Sequence, residues 1–214
     1  MARFDSVIID VDSTLCNIEG IDWLAARRGP DVATEIRRLT ERAMEGAIPL
    51  ESVYGERLAC IRPTSADVAA LSQAYLDALA PGAREAIFRV RAGRVSIALV
   101  SGGIRQAIRP LARELGFSDG SLHAVSLSFD DLGRFLGYDE KSPLTTQHGK
   151  KEIAAALRLP RPSLAVGDGV TDAAMRQATD AFAAFVGFVR REAVVRVADH
   201  VVASFSELAD LVLT

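Results

Sequence analysis

Two acids close a short apolar run near the start of the chain. Val7, Ile8 and Ile9 read as a buried strand, and the run stops at Asp10, followed by Val11, Asp12, Ser13 and Thr14. A parallel strand buried on both faces does not carry two carboxylates near its end without a reason, because an unpaired buried charge is costly. In open α/β sheets, the carboxyl ends of the strands are where ligands bind. Asp10 is therefore a candidate nucleophile, and Asp12 a candidate proton carrier. The same residue types also end strands and cap helices, so the pair needs company from elsewhere in the chain.

That company comes from three later positions. Ser101 directly follows the apolar run 95–100 and precedes Gly102 and Gly103. Lys150 opens a helical pattern, and Asp168 follows the run 163–166, with Asp172 further on. Were these runs strands of one parallel sheet, their ends would share an edge, and Asp10, Asp12, Ser101, Lys150, Asp168 and Asp172 would converge. The chemistry they suit is phosphoryl transfer. Asp10 can form an aspartyl phosphate. Carboxylates without clustered His or Cys suit a hard cation such as Mg²⁺. The Ser101 hydroxyl, the amides of Gly102 and Gly103 and the Lys150 ammonium can hold phosphate oxygens. Asp12 can give a proton to the leaving oxygen and later activate water.

The elements that must position these groups follow from periodicity. Residues 17–80 read as a helical block with no strand candidate. Helices are expected over 18–28, from a cap at Asp31 to about Met44, and over 50–61. A fourth is capped by Thr64 or Ser65 and carries Val68, Leu71, Tyr75 and Leu79. Gly29-Pro30, Gly46 and Arg62-Pro63-Thr64 are the breaks. Strands and helices then alternate: helix 83–92, strand 95–100, a tight turn at Ser101-Gly102-Gly103, helix 104–115, strand 124–129, a turn at Asp131-Leu132-Gly133 and strand 134–138. Helix 150–157, strand 163–166, a helix from Thr171, strands 181–186 and 200–202, and a last helix capped by Ser204 or Ser206 complete the chain. Arg190-Arg191 reads as a solvated helix start. This alternation implies an α/β fold, a Rossmann-like, mostly parallel sheet with helices on both faces. The expected division is a core of residues 1–16 and 81–214 and an all-α insertion of residues 17–80. Such an insertion would sit over the carboxyl edge of the sheet, where a lid belongs.

Composition excludes several classes. The chain has 214 residues, about half of them apolar, with net charge −3 and both signs mixed. It carries no electrostatic footprint for nucleic acid or an anionic membrane surface. Cys16 and Cys60 are too few for a disulfide scaffold and fit free thiols in a reducing cytoplasm. His123, His148 and His200 have no metal-ligand spacing. Asp5 and Asp10 interrupt any signal-peptide pattern, and no apolar run approaches the ~20 residues needed to span a bilayer. The expected partner is a small phosphate ester, with the chain acting in the cytoplasm as monomer or homodimer.

The ordered motifs D-x-D-S-T, S-G-G after a strand, a helix-opening Lys and G-D-G-x-x-D resemble the haloacid dehalogenase superfamily of phosphohydrolases, and within it the phosphoserine phosphatases. The match spans nearly the whole chain. It implies a Rossmann-like core with a small helical cap, Asp10 as nucleophile and Asp12 as acid/base. It also implies Mg²⁺ held by Asp10, Asp168 and the Asp12 backbone carbonyl, with Asp172 supporting. Lys150 fits the family's K-x-x-I pattern better than Lys151 because Ile153 follows it at the right distance. Glu19, Met44 and Arg57 map onto the family's substrate-binding acid, Met and Arg; Glu19 can pair an ammonium and Arg57 can grip a carboxylate with two hydrogen bonds. The chain departs from the pattern at Leu50, where an aromatic residue is often found, and over 127–147.

The activity expected is Mg²⁺-dependent hydrolysis of phosphoserine. The alternatives are another small phosphorylated metabolite as substrate, or phosphoryl transfer to an amino-acid alcohol such as homoserine. A receiver-type signalling module also phosphorylates an Asp, but it needs neither Asp12 nor the helical insertion. A dinucleotide-binding dehydrogenase is opposed by the missing G-x-G-x-x-G and by two acids where a pyrophosphate would lie.

Overall fold

The computed structural model describes residues 2–45 and 47–214; Gly46, the expected end of the second helix, lies outside the described residues. Strand β1 (Ser6–Ile9) lies at the centre of the protein. Helices α1 (Gly20–Ala26), α2 (Pro30–Met44), α3 (Tyr54–Ile61) and α4 (Ser65–Asp77) follow it. Then come α5 (Ala83–Ala92), β2 (Ser96–Ile104), α6 (Arg105–Glu114), β3 (Leu122–Val125), β4 (Leu127–Phe129) and β5 (Phe135–Tyr138). The chain ends with α7 (Gly149–Ala156), β6 (Ser163–Gly167), α8 (Val170–Ala173), β7 (Ala181–Phe185), α9 (Glu192–Val195), β8 (His200–Val202) and α10 (Phe205–Leu213).

Six strands make one parallel sheet in the order β3-β2-β1-β6-β7-β8, and β4 and β5 form a separate antiparallel hairpin. Ile9 pairs with Leu99 of β2 and with Val166 of β6, so Asp10 emerges between the middle of β2 and the end of β6. All four residues of β1 are buried, as helices on both faces require. Val7, Ile9 and Ile97 line one small apolar cavity together with Ile87 and Val90 of α5 and Phe205 and Leu208 of α10. Ile8 faces the other way, toward Ala154 of α7. Within the helical segment α1 packs on α2, and α4 packs on α6. No described helix is long and apolar enough to cross a membrane.

Several local expectations need correction. Ser101-Gly102-Gly103 is not a tight turn: β2 runs through it to Ile104, with a register shift against β3 between Val100 and Ile104. The glycines serve close approach instead, since a side chain at Gly103 would meet Asp12 Oδ2 at 2.6 Å. Residues 124–129 are not one strand. Leu122–Val125 joins the main sheet, and after Ser126 the chain leaves it for the hairpin. The second helix begins at Pro30, with Gly29 rather than Asp31 at its N-cap; proline suits the first helical position because its missing N–H has no partner there anyway. Residues 50–61 divide into a single 3₁₀ turn, Leu50–Ser52, and α3. The helix after Asp168 is short, passing into a 3₁₀ stretch at Ala174–Gln177. The caps at Thr64 and Ser204 form as expected, each side chain accepting from the backbone N–H three residues on.

Leu99 is fully buried between Ile9 and Leu122. Leu99→Ala should therefore lower unfolding free energy by about 2–5 kcal/mol. Leu132→Ala, at a side chain 77% exposed, should change it by less than about 0.5 kcal/mol. Chemical denaturation of both variants checks the pair; equal effects would contradict the central place of β2.

Candidate active site

The chain folds back on itself directly after β1. Asp10 N–H still donates to Val166 in the ladder, after which Thr14 and Cys16 donate to Val11 O and Leu15 donates to Asp10 O. Ser13 takes a left-handed conformation, φ 51°, which a non-glycine residue adopts at some cost. The fold compensates: Ser13 N–H donates to Ile18 O and its hydroxyl to Glu19 Oε1 at 2.6 Å. Val11, Leu15 and Cys16 are fully buried beneath the loop.

Lys150, at the start of α7, is buried between two acids. Its Nζ donates to Asp10 Oδ1 at 2.5 Å and to Asp172 Oδ1 at 2.6 Å. Burial opposes its charge, but Asp10 and Asp172 outweigh that and hold the ammonium pKa above its ordinary value. Burial, then the charge of Asp172, push the Asp10 carboxyl well up, with Lys150 opposing. Lys151 is half-buried and, among the described residues, reaches only Gln177.

Asp10, Asp168 and Asp172 bring carboxylate oxygens within 4.8 Å of one another. Asp168 Oδ1 accepts from Thr14, while its Oδ2 has no hydrogen bond and meets the Arg191 guanidinium as an ion pair. An all-oxygen set of buried acids, one oxygen of which accepts no hydrogen bond, fits a hard divalent cation, which would also favour ionised Asp10. The Asp12 carboxylate is not in this cluster. Its Oδ1 accepts from Gly20 N–H at 2.8 Å and Tyr75 O–H at 2.7 Å, and its Oδ2 from Ser101 O–H at 3.1 Å. Burial raises the Asp12 pKa, against the pull of these donors.

The helical segment supplies the other wall. A cavity of about 50 Å³ is lined by Asp10, Asp12, Glu19, Met44, Arg57 and Lys150, among others. Glu19 and Met44 also border a cleft of about 870 Å³ that runs between α1, α2 and the 189–194 segment. Arg57 is buried, donates from Nη1 to Thr40 at 2.8 Å, and leaves Nε unpartnered. Thr40 in turn donates to Asp22 at 2.5 Å. Burial and the charge of Asp12 push Glu19 up to about 7, against the hydrogen bond from Ser13. Tyr54 O–H donates to the Gly102 carbonyl at 2.8 Å, tying α3 to the end of β2.

All the residues singled out in the sequence thus lie around one cavity or its immediate supports. Ser101 is turned to Asp12 and to Gly103 N–H, and Asp172 lies inside the acidic cluster rather than behind it. Arg191 is the correction. The solvated helix start holds only for Arg190, which pairs with Glu192; the Arg191 side chain is 13% exposed and reaches Asp168. Residue type alone conceals which of two adjacent arginines turns inward. Tyr54 and Tyr75 were also missed, because an aromatic at helical spacing carries the same apolar signal with or without a partner for its hydroxyl. Thr171, with its buried Oγ1 unpartnered, borders the cavity as well.

Residues 4–180 match the model of the haloacid dehalogenase-like hydrolase family. The chain is 36% identical over 213 residues to a chloroplastic phosphoserine phosphatase of Arabidopsis thaliana, covering 95% of this chain and 70% of the relative. It is 35% identical to phosphoserine phosphatase of Homo sapiens, covering 95% and 91%. Among solved structures, a phosphoserine phosphohydrolase-like protein from Francisella tularensis superposes with TM-score 0.89 at 25% identity, over 98% of this chain and all of that one. A phospho-aspartyl intermediate analogue of phosphoserine phosphatase gives 0.81 at 25% identity, over 97% and 98%. With a sheet, a cluster of acids and a buried lysine of the kind its motifs implied, the chain belongs to the haloacid dehalogenase-like hydrolases and is a phosphoric monoester hydrolase.

Proposed function

We propose that the enzyme hydrolyses phosphoserine to serine and phosphate through an aspartyl phosphate on Asp10. The observation that carries the substrate assignment is the buried, partly unpartnered Arg57 guanidinium beside Glu19, in the same cavity as Asp10 and Lys150. A cation and an acid at that place suit the carboxylate and ammonium of an amino acid, and the relatives named phosphoserine phosphatases support the reading.

In this reading, residues 17–80 are a cap over a core of 1–16 and 81–214. The cap opens to admit a substrate that the inner cavity is too small to take directly from solvent. Lys150 and the Gly102 amide hold the phosphate oxygens, the expected Gly103 amide being given to Ser101 Oγ instead, and Met44 packs on the substrate stem. Asp10 attacks phosphorus as Asp12 protonates the departing serine oxygen; Asp12 then takes a proton from the water that releases phosphate from Asp10. Mg²⁺ would be held by Asp10, Asp168 and the Asp12 backbone carbonyl, with Asp172 supporting. A cation bound there would supply positive charge against the acids and the phosphate. The enzyme works in the cytoplasm as monomer or homodimer.

Phosphoserine incubated with enzyme and Mg²⁺ should release free phosphate, and added homoserine should gain no phosphate. EDTA should abolish turnover and excess Mg²⁺ restore it, because the acids otherwise face a dianion uncompensated. Turnover in EDTA would refute the metal assignment, and phosphate appearing on homoserine would make the enzyme a transferase.

Losing a hydrogen bond to a charged group costs roughly 1.5–3 kcal/mol. Arg57→Ala should therefore cut kcat/KM for phosphoserine about ten- to hundredfold. Arg57→Lys should recover only part of that, because an ammonium lacks the two-pronged contact. Steady-state kinetics on p-nitrophenyl phosphate, which has neither amino nor carboxylate group, should change little. An equal loss on both substrates would sink the amino-acid assignment.

A further inference from the structure

Asp12 is held from both sides of the cavity, and the two sides hold different oxygens. Oδ1 takes two donors from the helical segment: the Gly20 N–H at the start of α1 and the Tyr75 hydroxyl from α4. Oδ2 takes one longer contact from Ser101, on β2, and lies against Gly103. Tyr75 is fully buried, and the space for its hydroxyl depends on Gly20. A Cβ at that position would stand 2.2 Å from the Tyr75 oxygen and 3.4 Å from Asp12 Oδ1. Two independent features, a missing side chain on α1 and a buried hydroxyl on α4, therefore serve one carboxylate oxygen.

We propose that Tyr75 is a positioning residue that commits Asp12 Oδ1 to the helical segment, so that Asp12 exchanges its proton through Oδ2. The proposal rests on the phosphatase reading above, with Asp12 as the acid/base. In the first step the ester O–P bond breaks, the Asp10–phosphorus bond forms, and the departing alkoxide takes the proton from Oδ2. In the second, water attacks phosphorus, its proton passes to Oδ2, and the Asp10–phosphorus bond breaks. Tyr75 keeps its own proton throughout. Without it Oδ1 retains only the Gly20 N–H, and the carboxyl is free to turn and to carry its proton on either oxygen.

Leaving-group dependence tests this, because the value of a correctly aimed proton grows with the basicity of the group that leaves. The substrates are p-nitrophenyl, phenyl and ethyl phosphate, none of which carries an amino or carboxylate group. In Tyr75→Phe the loss in kcat/KM should be smallest for p-nitrophenyl phosphate and rise to about tenfold or more for ethyl phosphate, the scale of one hydrogen bond to a charged group. Gly20→Ala, which keeps the tyrosine but displaces its hydroxyl, should steepen the dependence in the same sense. The second variant decides the matter should Tyr75→Phe not fold. A uniform loss across the three esters, or no loss, would overturn the positioning role. Asp12→Asn separates the two levels of the argument. Where its profile is steep and that of Tyr75→Phe is flat, Asp12 remains the acid/base and Tyr75 has no part in it. Where the Asp12→Asn profile is itself flat, the acid/base reading fails first and the inference falls with it.

Discussion

The buried ammonium of Lys150 is the contact on which the site depends. It binds Asp10 from the end of β1 and Asp172 from α8 while itself projecting from α7, so three separately positioned elements meet at one nitrogen. Such a group is tolerable only because it is paired; removing one member of a buried pair leaves an uncompensated charge and costs about 3–5 kcal/mol. The balance is incomplete even so. Among the described residues, Asp10, Asp168 and Asp172 form ion pairs with Lys150 and Arg191 alone, and Asp12 with no cation. That surplus of negative charge disfavours a phosphate dianion, while burial first, and then the charge of Asp172, pushes Asp10 toward its neutral form. A divalent cation held among these acids would offset both effects at once.

The helical segment shares in this arrangement rather than merely covering it. Tyr54 reaches the Gly102 carbonyl, Gly20 and Tyr75 reach Asp12, and Glu19 is linked to the strained Ser13. Arg57 is aimed through Thr40 and Asp22, which come from two other helices. Groups that would read a substrate and groups that would transform it are thus joined through a few hydrogen bonds between α1, α3, α4 and the strand ends. On the proposed reading, a movement of the segment that admits substrate would also alter the surroundings of Asp12 and so couple closure to chemistry.

Much of this was legible in the sequence, for reasons that particular residues make plain. Asp10 and Asp12 broke an apolar run, and a parallel sheet carries such breaks to one edge; Ser101 and Asp168 followed by the same logic. Lys150 and Arg57 were readable through family motifs, since a single charged residue on a helix says little by itself. What escaped depended on three-dimensional company. The path of β2 through Ser101-Gly102-Gly103 reflects room made for Asp12, which comes from a distant part of the chain. The division of 124–129 into two strands depends on the chain leaving the sheet after Val125 for the hairpin. Arg191 differs from Arg190 only in which way it faces, and the hydroxyls of Tyr54 and Tyr75 are invisible to hydrophobic periodicity.

The account stands or falls on Asp10 as the covalent carrier of phosphate. The direct measurement is rapid acid quenching of enzyme turning over radiolabelled phosphoserine with Mg²⁺, for the wild type and for Asp12→Asn, in which release of the intermediate should slow. The account predicts protein-bound label that hydroxylamine removes, as it does an acyl phosphate, and that maps to Asp10. Turnover without label at Asp10 in either protein, or label mapped to another residue, would contradict it.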